Sequence, residues 1–361
     1  MSKYDQRLES LIARRTPIVP VVKAARFAAN AEQIVETFQA SPVYEVYRKM
    51  TDHGSAVRYA VGAMQPVNPG YTKVTYGEGD RIQNQLEKAL TGNLKCQYEY
   101  QGSVTNNTHI KAHSDIDLLA IIQAFVTLEL PQKPSSPYLG DPIEELRRVR
   151  STSAEHLKST FPKAKLDNSG GKAIAISGGS LRRKIDVVPA NWYNTNAYAS
   201  SQAKRFRAVQ VLDVKNGKRF VNTPFMHNYR IMKKDERVRG GMRKATRLLK
   251  SLKYDSDAVD LSSYDIAALA YNMDDHELLT APGLEIRLIV RTKVFLDEVA
   301  RDSGLRETLM VPDESRCIFE SGHATVEGLN QLRTEIDDLV YSIGRNLSKD
   351  FSKLEAARVG Y

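Results

Sequence analysis

Two short runs hold the residues best suited to chemistry. From Gln101 to Asp117 the chain reads Gln-Gly-Ser-Val-Thr-Asn-Asn-Thr-His-Ile-Lys-Ala-His-Ser-Asp-Ile-Asp, and from Lys184 to Val188 it reads Lys-Ile-Asp-Val-Val. Side chains of an extended segment alternate between faces, so Asp115 and Asp117 point the same way while Ile116 turns into the protein. The run Leu118, Leu119, Ala120, Ile121 and Ile122 predicts a strand that enters a buried sheet and is polar only at its mouth. Asp186, between Ile185 and the pair Val187 and Val188, repeats that pattern on a second strand. Carboxylates crowded together raise each other's pKa unless a cation neutralises them. Magnesium suits such a site because it takes oxygen ligands and completes its shell with water and substrate phosphates, two ions sitting roughly 3.5 to 4 Å apart. Gly102 lets the backbone approach a phosphate closely, and the Ser103 hydroxyl and nearby amides can bond its oxygens. Gly-Ser and Asp-x-Asp are each common. Their combination is not: Gly-Ser after a strand-like run, eleven residues to Asp-x-Asp, and a third strand-borne Asp together predict metal-dependent nucleotidyl transfer.

These residues resemble the nucleotidyltransferase superfamily that includes DNA polymerase beta. Within it, they resemble the branch of 2′-5′-oligoadenylate synthetases, animal cyclic GMP-AMP synthase and the bacterial cGAS/DncV-like nucleotidyltransferases (CD-NTases). That branch carries a basic helix ending in a pattern like Arg-Leu-Leu-Lys and then a Ser-Tyr opening the next helix. Here the counterparts are Arg247-Leu248-Leu249-Lys250 and Ser263-Tyr264-Asp265-Ile266. The resemblance covers roughly Tyr98 to Tyr271, leaving the two ends of the chain to general pattern.

The resemblance implies an α+β fold, with a mixed-sheet catalytic lobe over residues 1–225 and a helical lobe over 226–361 that completes the donor-nucleotide site. It implies two Mg2+ ions, with Mn2+ as the alternative, held by Asp115, Asp117 and Asp186, the last also helping to take the proton of an acceptor hydroxyl. Lys250 then reaches the donor triphosphate, Ser263 touches donor phosphate and Tyr264 stacks on a nucleobase. The implied reaction joins nucleoside triphosphates into a cyclic di- or trinucleotide second messenger and releases pyrophosphate, in anti-phage defence, with a regulatory protein partner encoded nearby. A linear oligonucleotide synthase or RNA-tailing enzyme, a transferase that nucleotidylates a small molecule or protein, and a non-enzymatic nucleotide-binding module are the rival readings. The zinc insertion with which animal cyclic GMP-AMP synthase meets DNA has no counterpart here.

Composition agrees with this reading. The chain has 361 residues, 42% hydrophobic and 26% charged, which suits a globular protein large enough for two cores. No apolar run reaches about eighteen residues, and the first residues lack a signal core, so a cytoplasmic protein without a membrane span is expected. Cys96 and Cys317 are the only cysteines, which rules out a disulfide framework or a cysteine zinc site. A monomer or weak oligomer is expected.

The net charge of +9 is concentrated. Between Arg230 and Lys253 ten Lys and Arg stand against Asp235 and Glu236. Val238, Met242, Ala245, Leu248, Leu249 and Leu252 predict the apolar stripe of one helix, with Arg239, Arg243, Lys244, Arg247 and Lys250 spread over its remaining surface. Apart from Lys250, these charges read either as a solvated face or as a nucleic-acid surface, with Lys233 and Lys234 as generic surface residues. Ser262 and Asp265 form a capping box that places Ser263 and Tyr264 in the first turn of a helix, where free amides favour an anion.

The positioning elements are legible as well. Val21 to Gln39 reads as a long spine helix and Asp80 to Leu90 as the helix before the first strand. Asp141-Pro142 starts a helix that Pro162 ends, and Pro131 to Pro137 is a loop. Lys172 to Ile176 reads as a strand in a hairpin with the Asp186 strand. Leu329, Leu332, Ile336, Leu339, Ile343, Leu347, Phe351 and Leu354 define a long final helix, packed inside the helical lobe because the repeat drifts from strict heptads. His109 and His113 read as loop residues rather than metal ligands.

Overall fold

The computed structural model describes residues 1–15, 45–111, 115–281 and 283–359, the last eleven of these as backbone only. The expected spine helix at 21–39 and His113 lie outside the described residues. Helices of ten or more residues are α1 (Lys3–Arg15), α2 (Ser55–Met64), α3 (Pro69–Ala89), α4 (Pro142–Thr160), α5 (Pro224–Arg237), α6 (Gly241–Tyr254), α7 (Ser263–Asn272), α8 (Glu285–Arg301) and α9 (Val326–Val359). The strands are β1 (Cys96–Gln101), β2 (Ile116–Leu128), β3 (Lys165–Asp167), β4 (Ile174–Ser177), β5 (Ile185–Asn194), β6 (Arg207–Asp213) and β7 (Lys218–Asn222).

The strands form one mixed sheet in the order β1-β2-β5-β4-β3, with β6 and β7 continuing from the far half of β5. Only β2 and β5 run parallel; the other pairs are antiparallel. β2 is apolar throughout its middle because both its faces are covered. Leu118, Ala120 and Ile122 join Ile82 and Leu86 of α3 and Leu146 and Val149 of α4 in one core, while Leu119 and Ile121 join Val188, Ala190 and Trp192 on the opposite face. By alternation, Asp117 and Asp186 open onto that second face, against which Phe225 of α5 packs.

Local capping fixes the starts of α3, α4 and α7. Asp141 accepts hydrogen bonds from the amides of Ile143 and Glu144, and Pro142 occupies the first turn, so α4 starts where expected. β4 pairs with β5 antiparallel, as the hairpin reading required, with Ala175 opposite Asp186. By contrast, α3 begins at Pro69 rather than Asp80, capped by the Asn68 side chain on the amide of Gly70. Gly77 and Gly79 conceal this first half by their low helix propensity, which tertiary packing overrides: Tyr76 is fully buried and the Tyr100 ring lies against Gly79.

A second core unites the helices. Met242, Ala245, Leu248, Leu249 and Leu252 of α6 meet residues of α7, α8 and α9, including Leu329, Leu332, Ile336, Leu339 and Ile343. The final helix thus packs within the helical lobe, as its periodicity suggests. Tyr4, Leu8 and Leu11 of α1 and Ala56, Val57, Tyr59 and Met64 of α2 belong to the same core. The N-terminal helices therefore pack with the C-terminal lobe rather than with the sheet, although the sequence reading grouped them with residues 1–225. Among the described residues, no helix is long and apolar enough to cross a membrane.

The basic segment departs from expectation. It forms two helices, broken at Val238–Gly240, where Arg239 (φ 52°) and Gly240 (φ 88°) turn the chain. Helix α6 then approaches the backbone of Leu278 so closely that a side chain on Gly241 would overlap its carbonyl. Arg247, expected on the surface, is 4% exposed, and Lys250, expected at the donor site, is 2% exposed. Lys234 is also buried and donates to the Met273 carbonyl. Lys233 pairs with Glu236, Arg237 with Asp275 and Lys244 with Glu285, so much of the cluster's charge is matched within the fold.

Candidate active site

Strand register assembles the acids. Asp117 lies opposite Asp186 across the parallel β2–β5 pair, and Gln101 at the end of β1 lies opposite Asp117. Gly102 follows at φ 84°, a backbone conformation that suits glycine, and a Cβ there would run into the Asp117 carboxylate. The same pairing therefore brings together the carboxylates and the Gly-Ser turn. Gly102, Ser103, Asp115, Asp117, Asp186, Lys250, Ser263 and Tyr264 all line one cleft of about 370 Å³ between the sheet and the helical lobe. That volume lies within the range of small-molecule sites.

The acids show the electrostatic strain of crowding. Burial first, then the charges of Asp186 and Asp115, pushes the Asp117 carboxyl up to about 7, against the opposing pull of Lys184 and Lys250. Asp186 is also raised, chiefly by burial, with Lys184 opposing. Its Oδ1 atom is buried and accepts no hydrogen bond. Lys184 supplies a cation from within the chain: its Nζ lies 2.6 Å from Asp115 Oδ2 and 3.1 Å from Asp186 Oδ2. Among the described residues, no three acidic, histidine or cysteine side chains stand close enough to chelate one ion as they are. A bound metal would displace the Lys184 ammonium and satisfy the orphaned Asp186 oxygen, so the donor set of hard carboxylate oxygens fits a hard divalent cation.

The helical lobe contributes the opposite wall. Lys250 donates from Nζ to the Thr108 carbonyl at 3.0 Å, and burial, then the Lys253 and Arg247 charges, lowers its pKa to about 7. A second anion in the cleft would favour its charged form. Ser262 Oγ accepts from the Asp265 amide at 3.0 Å, the forward half of a capping box, and donates to the Asp265 carboxylate at 2.6 Å. Ser263 thus opens α7 and faces the cleft. The Tyr264 ring is stacked on His227 of α5, with centroids 4.7 Å apart and planes 18° apart, and its hydroxyl donates to Asp313 Oδ2 at 3.2 Å.

The sequence reading missed Lys184, His227, Asn222 and Asn228, of which the last three line the cleft. Lys184 had a signal, standing two residues before Asp186 and so on the same strand face. A lone His on a basic helix carries none. His109 is buried, bonded through Nε2 to Thr72 Oγ1, and held neutral by burial and by the Lys250 and Arg247 charges, with its pKa lowered to about 3.

No protein-family model matches the chain. Its sheet, cleft and helical lobe are those of a nucleotidyltransferase: the structure of a STING-associated CdnE c-di-GMP synthase from Capnocytophaga granulosa matches with a TM-score of 0.72, covering 95% of this chain and 99% of that one at 27% identity. A cyclic dinucleotide synthase CdnE from Yersinia aleksiciae is 37% identical over 299 residues, 81% of this chain and 78% of the relative. A c-di-GMP synthase from Capnocytophaga granulosa is 30% identical over 316 residues, 80% of this chain and 88% of the relative. The chain therefore belongs to the CdnE cyclic dinucleotide synthases, within the bacterial CD-NTases, and is a nucleotidyltransferase. Enzymes of this kind use nucleoside triphosphates and generally need a divalent metal.

Proposed function

We propose that this enzyme condenses purine nucleoside triphosphates, GTP foremost, into a cyclic dinucleotide with release of pyrophosphate. The observation that carries the reading is that the carboxylates, the Gly-Ser turn, Lys250, Ser263 and Tyr264 share one cleft. The choice of GTP is supported by the relatives named c-di-GMP synthases, at 30%, 29% and 26% identity. Asp115, Asp117 and Asp186 would hold two Mg2+ ions, with Mn2+ as the alternative. When bound, they neutralise phosphate charge and lower the pKa of the acceptor hydroxyl. Asp186, the partly buried acid with a free oxygen, accepts the proton as that hydroxyl attacks the α-phosphorus in line. The bond from the α-phosphorus to the bridging oxygen breaks, and pyrophosphate leaves against Ser103, Lys250 and the amides that open α7 at Ser263. The linear intermediate then turns in the cleft and the reaction repeats. By this reading the product is a second messenger for anti-phage defence, sensed by a protein partner, as the STING-associated relative suggests.

Incubation with each labelled nucleotide, alone and mixed, followed by phosphatase and mass analysis, tests the proposal. A phosphatase-resistant product from GTP with the mass of a cyclic dinucleotide is expected. A phosphatase-sensitive product would mean a linear oligonucleotide, and labelled acceptor without oligomer would mean nucleotidylation of another molecule.

Tyr264 tests the nucleotide side of the site. With His227 it forms an aromatic wall in the cleft, and stacking of a base on such a wall is worth roughly 1 to 3 kcal/mol. Tyr264→Ala should raise the KM for nucleotide about ten- to a hundredfold. Tyr264→Phe should keep most activity, because it preserves the ring and loses only the hydroxyl's bonds, that to Asp313 among them. If Tyr264 merely packs, Tyr264→Ala lowers the melting temperature and leaves KM unchanged.

A further inference from the structure

Helix α6 faces the turn after β1 with three basic side chains at positions i, i+4 and i+7, which share one face of a helix. Arg243 Nε donates to the Asn106 carbonyl at 2.7 Å, Arg247 donates from its guanidinium to the Asn107 carbonyl at 2.7 Å, and Lys250 Nζ donates to the Thr108 carbonyl at 3.0 Å. Three successive loop carbonyls are thus held by one helix of the other lobe. We propose that Arg243 and Arg247 are positioning residues that tether the 102–108 loop to the helical lobe, so that its phosphate-binding conformation exists before nucleotide arrives. The proposal rests on the reading of this loop as a phosphate site.

The loop's own bonds show why it needs a tether. Inside it, the Thr105 amide bonds the Gly102 carbonyl at 3.2 Å and the Thr108 amide bonds the Ser103 carbonyl at 3.0 Å. These closures leave the Asn106, Asn107 and Thr108 carbonyls to point outward, and Asn107 sits at φ 57°, in the left-handed region. A strained backbone of that kind persists where its surroundings hold it. Asn228 of α5 adds a bond from its side-chain amide to Thr105 Oγ1 at 2.8 Å and accepts one from Asn106 at 3.2 Å.

The placement of Arg247 is costly and therefore informative. Its guanidinium is buried, donating from Nε to the Met64 carbonyl at 2.8 Å and to Asn107, and burial lowers its pKa to about 9. An aliphatic residue would pack in this helical core without that desolvation. Arg243 is further fastened by Asp235, whose carboxylate accepts from the Arg243 amide at 2.8 Å and pairs with its guanidinium at 3.1 Å. Asp235 lies on α5, so the tether is itself braced by the neighbouring helix.

The test compares Arg243→Gln, Arg247→Lys and Arg247→Met in the full chain. It reads hydrogen exchange of the loop amides without nucleotide, the affinity for a non-hydrolysable GTP analogue, and kcat and KM. A loop that is ordered only part of the time binds with an affinity reduced by that fraction. Arg243→Gln should speed exchange across 103–108 by about tenfold and weaken analogue binding by about the same factor, the loss falling on KM rather than kcat. Arg247→Lys, which keeps the charge on a single nitrogen in place of the guanidinium fork, should lie between the wild type and Arg247→Met. Unchanged exchange in a folded Arg243→Gln protein overturns the tether. A lower melting temperature with unchanged affinity also overturns it, leaving these residues purely structural. Faster exchange with unchanged affinity overturns instead the reading of the loop as a phosphate site.

Discussion

Asp117→Asn should abolish synthesis while leaving the metal-free protein at least as stable as the wild type. The same substitution at Asp115 or Asp186 should reduce product formation by at least about a hundredfold, a loss of about 2.7 kcal/mol of transition-state stabilisation. The stability half of the expectation comes from the geometry. Asp117 sits among protein atoms beside two other carboxylates, and the resulting repulsion and desolvation push its pKa up to about 7. An amide of the same shape removes that repulsion, so the melting temperature without metal should hold or rise. Asp186 is raised in the same direction, but its Lys184 pair opposes the shift. Asp186→Asn should therefore gain less metal-free stability than Asp117→Asn while losing activity. Assay of product by mass and of melting temperature in chelator separates the cases. Near-normal synthesis by the protein doubly substituted at Asp115 and Asp117 would remove the acids from the mechanism.

On the proposed assignment, Lys250→Met should lower turnover by about a hundredfold at subsaturating nucleotide, because one charge-assisted contact from a buried ammonium to a leaving phosphate is worth a few kcal/mol. Methionine matches the length of the stem, so the core of α6 should survive; loss of the bond to the Thr108 carbonyl is the local cost. Lys233→Ala is the control: that residue is exposed and pairs with Glu236. Steady-state kinetics on both proteins checks the contrast, and equal losses would mean that a diffuse positive field, rather than a placed ammonium, draws in the nucleotide. Lys234 cannot serve in this control although it is adjacent in sequence, since its ammonium is buried on the Met273 carbonyl.

Much of the site is legible in the sequence. Asp-x-Asp and the Ile-Asp-Val-Val run declare themselves because β-strand alternation is strict, so a polar residue spaced by two among buried apolar ones has a known direction. The capping box at Ser262 and Asp265 and the start of α4 at Asp141-Pro142 were legible for a similar reason: they are satisfied within four residues of chain, without help from the rest of the fold. The first half of α3 was hidden, because Gly77 and Gly79 weaken the local signal and only the packing of Tyr76 and the Tyr100 ring restores it.

Alone, then, the sequence determined the strands that carry the acids, the turn that carries Gly102 and Ser103, and the helix that begins at Ser263, since each follows from local periodicity or capping. Which charges of the basic segment face solvent was decided only by tertiary structure. Arg243, Arg247 and Lys250 satisfy the same helical pattern whether they point to water or to the loop carbonyls. Periodicity fixes angles around a helix axis but not what lies opposite each angle. The break at Val238–Gly240 and the close approach of Gly241 to Leu278 set the orientation of α6, and with it the burial of Arg247 and Lys250. The Lys184 bridge and the His227 stack on Tyr264 are likewise contacts across long stretches of chain, which only the assembled sheet and helices bring within reach.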